Sequence, residues 1–274
     1  MTFIIILIAL LLERFFHWHH LRHWRWFSRY ERELSVRMNA LPAALILIAV
    51  MLPPLLIVGV LQHFLAGWWW GGLEFIFSGI VLLYCLGPDN LWVQAYRCIN
   101  ELNKQEPAAI GRVQAAFGLV ATDNSQAFHQ AFVRAILLAF HQRIFSVLFW
   151  FVLLGPVGAV LYRVIESVST QTMTAAKLAQ QMKEVLDWLP VRVETFLFAL
   201  GGHFTAVFAC WKRGVFKGLS SNDQFLSECG IAALDVLEGD RLSETGVAEQ
   251  EALALVDRVL VIGLVILAVI VLLS

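Results

Sequence analysis

Asp187 and Arg192 stand five residues apart in Asp-Trp-Leu-Pro-Val-Arg, across Pro190. A carboxylate and a guanidinium at a helix end beside a membrane can bind an anionic ligand and its counter-charge. They can equally form a structural ion pair or interfacial anchors, because an arginine near a span end snorkels. Gly155, Pro156 and Gly158 interrupt an apolar run that ends at Arg163. Small residues there permit close helix contact, and a proline that opens the backbone ladder frees N–H groups that can face an anion, so packing and a phosphate site are both open. Glu13, Glu74 and His203 are ionisable groups in or beside apolar stretches, where burial is costly enough to raise a functional question. Glu74 lies near a turn, and for His203 a ligand or proton-carrier role competes with a hydrogen-bonded structural one. His17, His19, His20 and His23 interleave with Trp18, Trp24 and Trp26. On a helix His19 and His23 share a face with room for a divalent metal. A basic aromatic helix lying on anionic headgroups explains the same residues together with Arg14, Arg22, Arg25, Arg29, Arg32 and Arg37.

Other chemistries have no footprint. The chain carries no G-x-x-x-x-G-K-[ST], no H-E-x-x-H and no Ser/His/Asp signature. Cys85, Cys98, Cys210 and Cys229 are scattered, without a C-x-x-C or metal-ligand spacing, so reduced thiols are expected. Lys+Arg number 20 and Asp+Glu 21, which argues against a nucleic-acid partner.

The elements that must position these residues follow from hydropathy. The chain is 59% hydrophobic and 15% charged, against roughly 45–50% and about 25% in soluble domains. The expectation is an all-α, polytopic membrane protein with four or five transmembrane spans plus amphipathic and polar helices, forming one integral membrane domain. A span needs about 20 apolar residues. Residues 38–73 contain no charge, which predicts a helical hairpin over 40–87 that turns near Trp68–Trp70 and is kinked at Pro53 and Pro54. Residues 144–162 are uncharged between Arg143 and Arg163 and predict a third span anchored at both interfaces. Residues 257–274 predict a C-terminal span, and residues 195–211 a span, a re-entrant segment or a buried helix. Residues 1–12 are apolar but too short to cross and lack a cleavage signal, so a retained interfacial helix is expected at the start of an Arg/His/Trp-rich segment, 1–39. The polar regions 88–143, 163–194 and 212–256 read as helical. Leu178, Met182, Val185, Leu186 and Leu189 form a helical stripe expected to pack on the bundle.

The Arg excess before the first span predicts that the N-terminal segment lies on the cytoplasmic side of the membrane. A five-span arrangement then leaves only Arg163, Lys177, Lys183 and Arg192 outside, whereas four spans leave all residues from Arg163 to Arg241 there; charge prefers five.

Glu13-Arg14, Phe149-Trp150, Gly155-Pro156-Val157-Gly158-Ala159, Tyr162-Arg163 and Asp187-Trp188-Leu189-Pro190-Val191-Arg192 together resemble the AmpE family of inner-membrane proteins. That family is associated with inducible β-lactamase regulation and belongs with the CobD/CbiB cobalamin-biosynthesis enzymes. The resemblance implies a sensor or signalling modulator linked to cell-wall recycling, with a phosphorylated or cell-wall-derived ligand. An oligomer is compatible with it. The enzyme branch is similar at Leu86-Gly87-Pro88-Asp89-Asn90 and implies, as the alternative, an ATP- and magnesium-dependent ligase or transferase using Asp89, Arg163, Asp187 and Arg192. Where those enzymes carry Glu, Asn and Asp before the third span, this chain has Arg134, His141, Gln142 and Arg143. The expectation is therefore binding without turnover and no resident cofactor.

Overall fold

The computed structural model describes residues 2–15, 24–38, 41–65, 72–87, 90–104, 109–119, 125–171, 175–216, 218–234 and 246–273. All regular structure among them is helical. The contacts divide the chain into two interleaved compact units, Met1–Pro88 with Gln142–Trp188, and Asp89–His141 with Leu189–Ser274.

The first unit holds α1 (Thr2–Phe15), α2 (Arg25–Arg37), α3 (Ala43–Leu65), α4 (Gly72–Cys85), α8 (Ser146–Ser169) and the first half of α9 (Ala176–Gly201). α3 is long and apolar enough to cross a membrane. It stays continuous through Pro53 and Pro54 because a neighbour repairs the ladder. Pro53 has no N–H for the Ala49 carbonyl four residues back, and the Tyr30 hydroxyl of α2 donates to that carbonyl at 3.0 Å. α2 reaches this position by burying Phe27, Glu31 and Ser35, one and two turns apart, while Arg29, Arg32 and Arg37 stay exposed.

α8 departs from the expected straight span. The apolar helical run 126–169 has 44 residues, about 66 Å if straight against a hydrocarbon core of about 30 Å. It is broken at Gly155, where φ is 67° and ψ −155°, a region open essentially to glycine. The chain folds back sharply there. Gly158 lies against the backbone carbonyl of Trp150, eight residues earlier and about 12 Å away in a straight helix. Beyond the break the second arm starts down α3 in the opposite sense, with Gly155 beside Gln62 and Val157 beside Gly59. Arg143 and Arg163 are thus not the two interfacial anchors of one straight helix, and Arg163 is buried. The stripe on α9 is also corrected: Val185 and Leu189 are exposed, and Leu178 and Met182 only half-buried, as suits a lipid-facing surface.

The second unit holds α5 (Leu91–Asn103), α6 (Ala109–Phe117), α7 (Ser125–Phe140), the second half of α9, α10 (Phe204–Gly214), α11 (Asn222–Ala232) and α12 (Val247–Leu273). Asn90 caps α5 through its side-chain oxygen, which accepts from the Val93 N–H at 3.2 Å. Residues 195–211 are not one helix. α9 ends at Gly201, the His203 N–H donates to the Ala233 carbonyl at 3.1 Å, and the His203 side chain caps α10 by accepting from Ala206 N–H at 3.4 Å. His203 is exposed and serves a helix start, not an apolar interior. α12 carries the C-terminal span expected from sequence, and its earlier turns bury Glu249, Ala252 and Val256.

Candidate functional site

In the first unit the polar residues gather where the returning arm of α8 meets α9. Asp187, 1% exposed, accepts from the Tyr162 hydroxyl at 2.9 Å through Oδ1 and from Lys183 Nζ at 2.6 Å through Oδ2. Lys183 sits one turn before Asp187 on the same helix face, and its ammonium is buried as well. Tyr162 is followed by Arg163, 7% exposed, whose Nη1 lies 3.2 Å from Glu166 Oε2 one turn on. The same nitrogen makes no hydrogen bond among the described residues. The guanidinium is held against Gly87, in the turn after α4. There φ is +103°, and an added Cβ would come within 2.9 Å of Arg163 Nη2. Glycine is needed both for the backbone conformation and for this approach.

The residues singled out in the sequence separate as follows. Arg163 and Asp187 lie in the same unit, linked through consecutive Tyr162 and Arg163. Arg192 is engaged within the second unit. Its Nε donates to the Val215 carbonyl at 3.1 Å and its Nη1 to Asn222 Oδ1, and its guanidinium covers the Phe225 ring at 5.4 Å. These bonds tie α9 to the α10–α11 connection. Gly155, Pro156 and Gly158 form the fold-back of α8. Glu13 is buried on α1, and Glu74 sits in the first turn of α4, where a carboxylate suits the helix dipole. Asp89, His19 and His23 lie outside the described residues. Among the described residues no group of three or more His, Cys, Asp or Glu side chains could hold a metal ion.

Sequence reasoning missed two buried histidine–carboxylate pairs in the second unit. His129 Nδ1 lies 2.6 Å from Glu249 Oε1, and His141 Nδ1 lies 2.6 Å from Glu194 Oε2. His141 opens a short π-helical turn, His141–Phe145, a local irregularity often found at functional positions. No spacing rule connects partners so far apart in the chain. The Lys183–Asp187 pair was legible in principle as an i,i+4 pair of opposite charges. Cys210 and Cys229, distant in sequence, bring their Sγ atoms to 2.6 Å, both buried.

The family model described as "CobD/Cbib protein" matches residues 6–255, nearly the whole chain and both units. The chain belongs to the CobD/CbiB family. Among curated relatives it is similar to the "Cobalamin biosynthesis protein CobD" of Stutzerimonas stutzeri, 28% identical over 173 residues that cover 58% of this chain and 56% of the relative. It is also similar to the protein of the same description from Chromobacterium violaceum, 27% identical over 117 residues, 40% of this chain and 38% of the relative. The matched regions thus span little more than half of these CobD proteins at most. No solved structure matches the chain. CobD/CbiB membership supports the wider family named by the sequence resemblance, and neither curated relative carries the AmpE name.

Proposed function

We propose that the chain is a membrane-embedded ligase or transferase of the CobD/CbiB kind, binding a phosphorylated or nucleotide substrate at Arg163 with Lys183, Asp187 and Tyr162 behind it. The observation that carries this reading is the Arg163 guanidinium. It is buried and set against the Gly87 turn, and its Nη1 is ion-paired with Glu166 at 3.2 Å without a well-formed hydrogen bond, so it can exchange that contact for an anionic substrate oxygen. ATP would supply the phosphoryl group that activates a substrate carboxylate, from which an attacking amine would expel phosphate to leave the amide. The anionic half of that cofactor fits Arg163. For magnesium the described residues offer no cluster, and Asp89, two residues after Gly87 in the sequence, is the acidic candidate that lies outside them. Lys183 and Tyr162 hold the Asp187 carboxylate in one orientation, which would position it to accept a proton from a bound amine.

A second reading, a signalling modulator of the AmpE kind acting in β-lactamase induction and cell-wall recycling, draws on His141. Where the resemblance to the enzymes asks for carboxylates, the chain has His141, and that ring is committed to Glu194. One experiment on detergent-solubilised protein separates the readings: binding of ATP with magnesium, and phosphate release, in the wild type, Arg163→Gln and Asp187→Asn. The enzyme reading expects binding weakened at least about 10-fold by Arg163→Gln, the scale of a charge-assisted hydrogen bond, and phosphate release abolished by Asp187→Asn. Binding without release in the wild type moves the conclusion to the modulator. Binding unaffected by Arg163→Gln removes the proposed site.

A further inference from the structure

Between α3 and α9, within the first unit, runs a groove of about 400 Å³ lined by Ala44, Ile48, Met51 and Leu52 on one side and Leu178 and Met182 on the other. Every lining residue is apolar, and Ile48 and Leu52 are 55% and 49% exposed. Because α3 is long and apolar enough to cross the membrane, this surface meets hydrocarbon. The volume lies in the range of small-molecule sites. Two of the lining side chains are methionines, whose unbranched, polarisable chains adapt to a flexible apolar occupant. Pro53 and Pro54 fall between the lining residues Leu52 and Leu55 of α3, where a bulky ring without an N–H disturbs close helix packing.

The groove has a charged end. Leu178 lies in the first turns of α9, next to exposed Lys177. The opening turn of α9 carries N–H groups with no partner inside the helix and the positive dipole end of a 26-residue helix. An apolar trough that ends at a lysine and a helix N-terminus complements a molecule with one hydrocarbon chain to bury and one anionic group to hold.

We propose that this groove is a binding site for a net-anionic membrane phospholipid, with one hydrocarbon chain between α3 and α9 and the negatively charged headgroup at Lys177 and the start of α9. The site is separate in its lining from Arg163 and Asp187, and it stands whether or not the chain turns over ATP. Its occupancy fixes the spacing of α3 and α9, and α9 carries Lys183 and Asp187 immediately after the groove residue Met182. Met182 to Asp187 is about 7.5 Å along the helix axis, so a bound lipid is placed to set the position of the polar cluster.

The experiment uses the full chain in nanodiscs made from phosphatidylglycerol and phosphatidylcholine carrying a photoreactive acyl chain, with crosslinked peptides mapped by mass spectrometry. Crosslinks should be enriched several-fold in residues 44–55 and 178–182 over the exposed face of α12 around Val261, Val265 and Val269, and phosphatidylglycerol should dominate the crosslinked lipid. In Leu178→Trp, which fills the groove, that enrichment should fall to the α12 level. In Lys177→Gln the preference for phosphatidylglycerol should vanish while chain crosslinking persists. Labelling of wild-type protein no denser in the groove than on α12 overturns the site without reliance on any variant. Equal labelling by the two lipids in the wild type, or a phosphatidylglycerol preference that survives Lys177→Gln, overturns the headgroup assignment. ATP binding is measured on the same samples, so its loss or retention is scored independently of lipid occupancy.

Discussion

The buried residues that matter most are charged, and their energetics decide which role each can play. Lys183 and Asp187 are each less than a tenth exposed and 2.6 Å apart. Neutralising one member of such a buried pair costs about 3–5 kcal/mol. Asp187→Asn is therefore expected to lower the unfolding free energy of the purified protein by about 3 kcal/mol. Adding Lys183→Met removes the other charge of the pair while the Asn side chain can still accept from Tyr162, and should recover at least half of the loss. If the carboxylate serves a ligand, ATP binding or turnover stays lost in the stable double variant; recovery of both would mark the pair as structural. A single variant within about 0.5 kcal/mol of wild type would contradict the burial itself. Glu31 behaves differently. Neither of its carboxyl oxygens has a hydrogen-bond partner among the described residues, and burial raises its pKa from 4.5 to about 7. Packed α2 therefore binds the proton more tightly than released α2. The contribution to packing is complete below about pH 4.5 and is lost as pH rises through about 7. Solvent screening keeps the loss below the roughly 3 kcal/mol that the full shift would give at about 1.4 kcal/mol per unit. Hydrogen-exchange protection of residues 25–37 should decline between pH 5 and 8 in the wild type and stay level in Glu31→Gln. A wild-type profile as flat as the variant's would show that Glu31 does not titrate in the packed helix.

At the scale of elements, the break in α8 is the feature on which the first unit turns. Gly155 adopts a conformation costly for any residue with a Cβ, of order 1–3 kcal/mol. Gly155→Ala should lower stability by that amount, seen as a reduced unfolding midpoint in detergent, whereas Gly72→Ala at an open position should change little. Equal effects would mean that the fold-back is not strained. Much of the helical inventory was legible in the sequence, because charge-free runs such as those in α3 and α12 have no stable alternative to crossing lipid. Gly155-Pro156 was legible as an interruption, but not as a reversal. Arg163 at the far end of the run read as an interfacial anchor, and only its burial against Gly87, in the turn after α4, shows otherwise. For the same reason Tyr162, on α8, was not recognised as a partner of Asp187, whereas Lys183 one turn away on the same helix was open to the i,i+4 rule. The split of residues 195–211 depends on the Ala233 carbonyl meeting His203, again a contact that local pattern does not contain.

Membrane topology is the property of the whole molecule that the fold-back changes, and charge shows in which direction. A straight crossing at residues 144–162 would carry Arg163, Lys177, Lys183 and Arg192 away from the cytoplasm. A reversal at Gly155 would keep them on the same side as Arg143. If α3 and α4 form the hairpin, α8 enters and returns, neither α9 nor α10 crosses, and α12 crosses once, then all 20 Lys and Arg residues lie on one side. None of them falls in residues 38–96, 144–162 or 259–274. That agreement with the cytoplasmic bias of basic residues exceeds what either the four-span or the five-span arrangement achieves. The second half of α9 and α10 fit the same arrangement: Arg192 and Glu194 are buried in protein, and α10 has 11 residues ending in Lys212 and Arg213, about 16 Å where some 30 Å must be crossed. Dual reporter fusions at Lys104, at Thr170 and at Lys217 should therefore all give the cytoplasmic signal, and a fusion after Ser274 the periplasmic one. A periplasmic signal at Thr170 with a cytoplasmic one at Lys104 would restore a straight third span and displace the fold-back. A periplasmic signal at Lys104 would instead overturn the orientation of the whole chain.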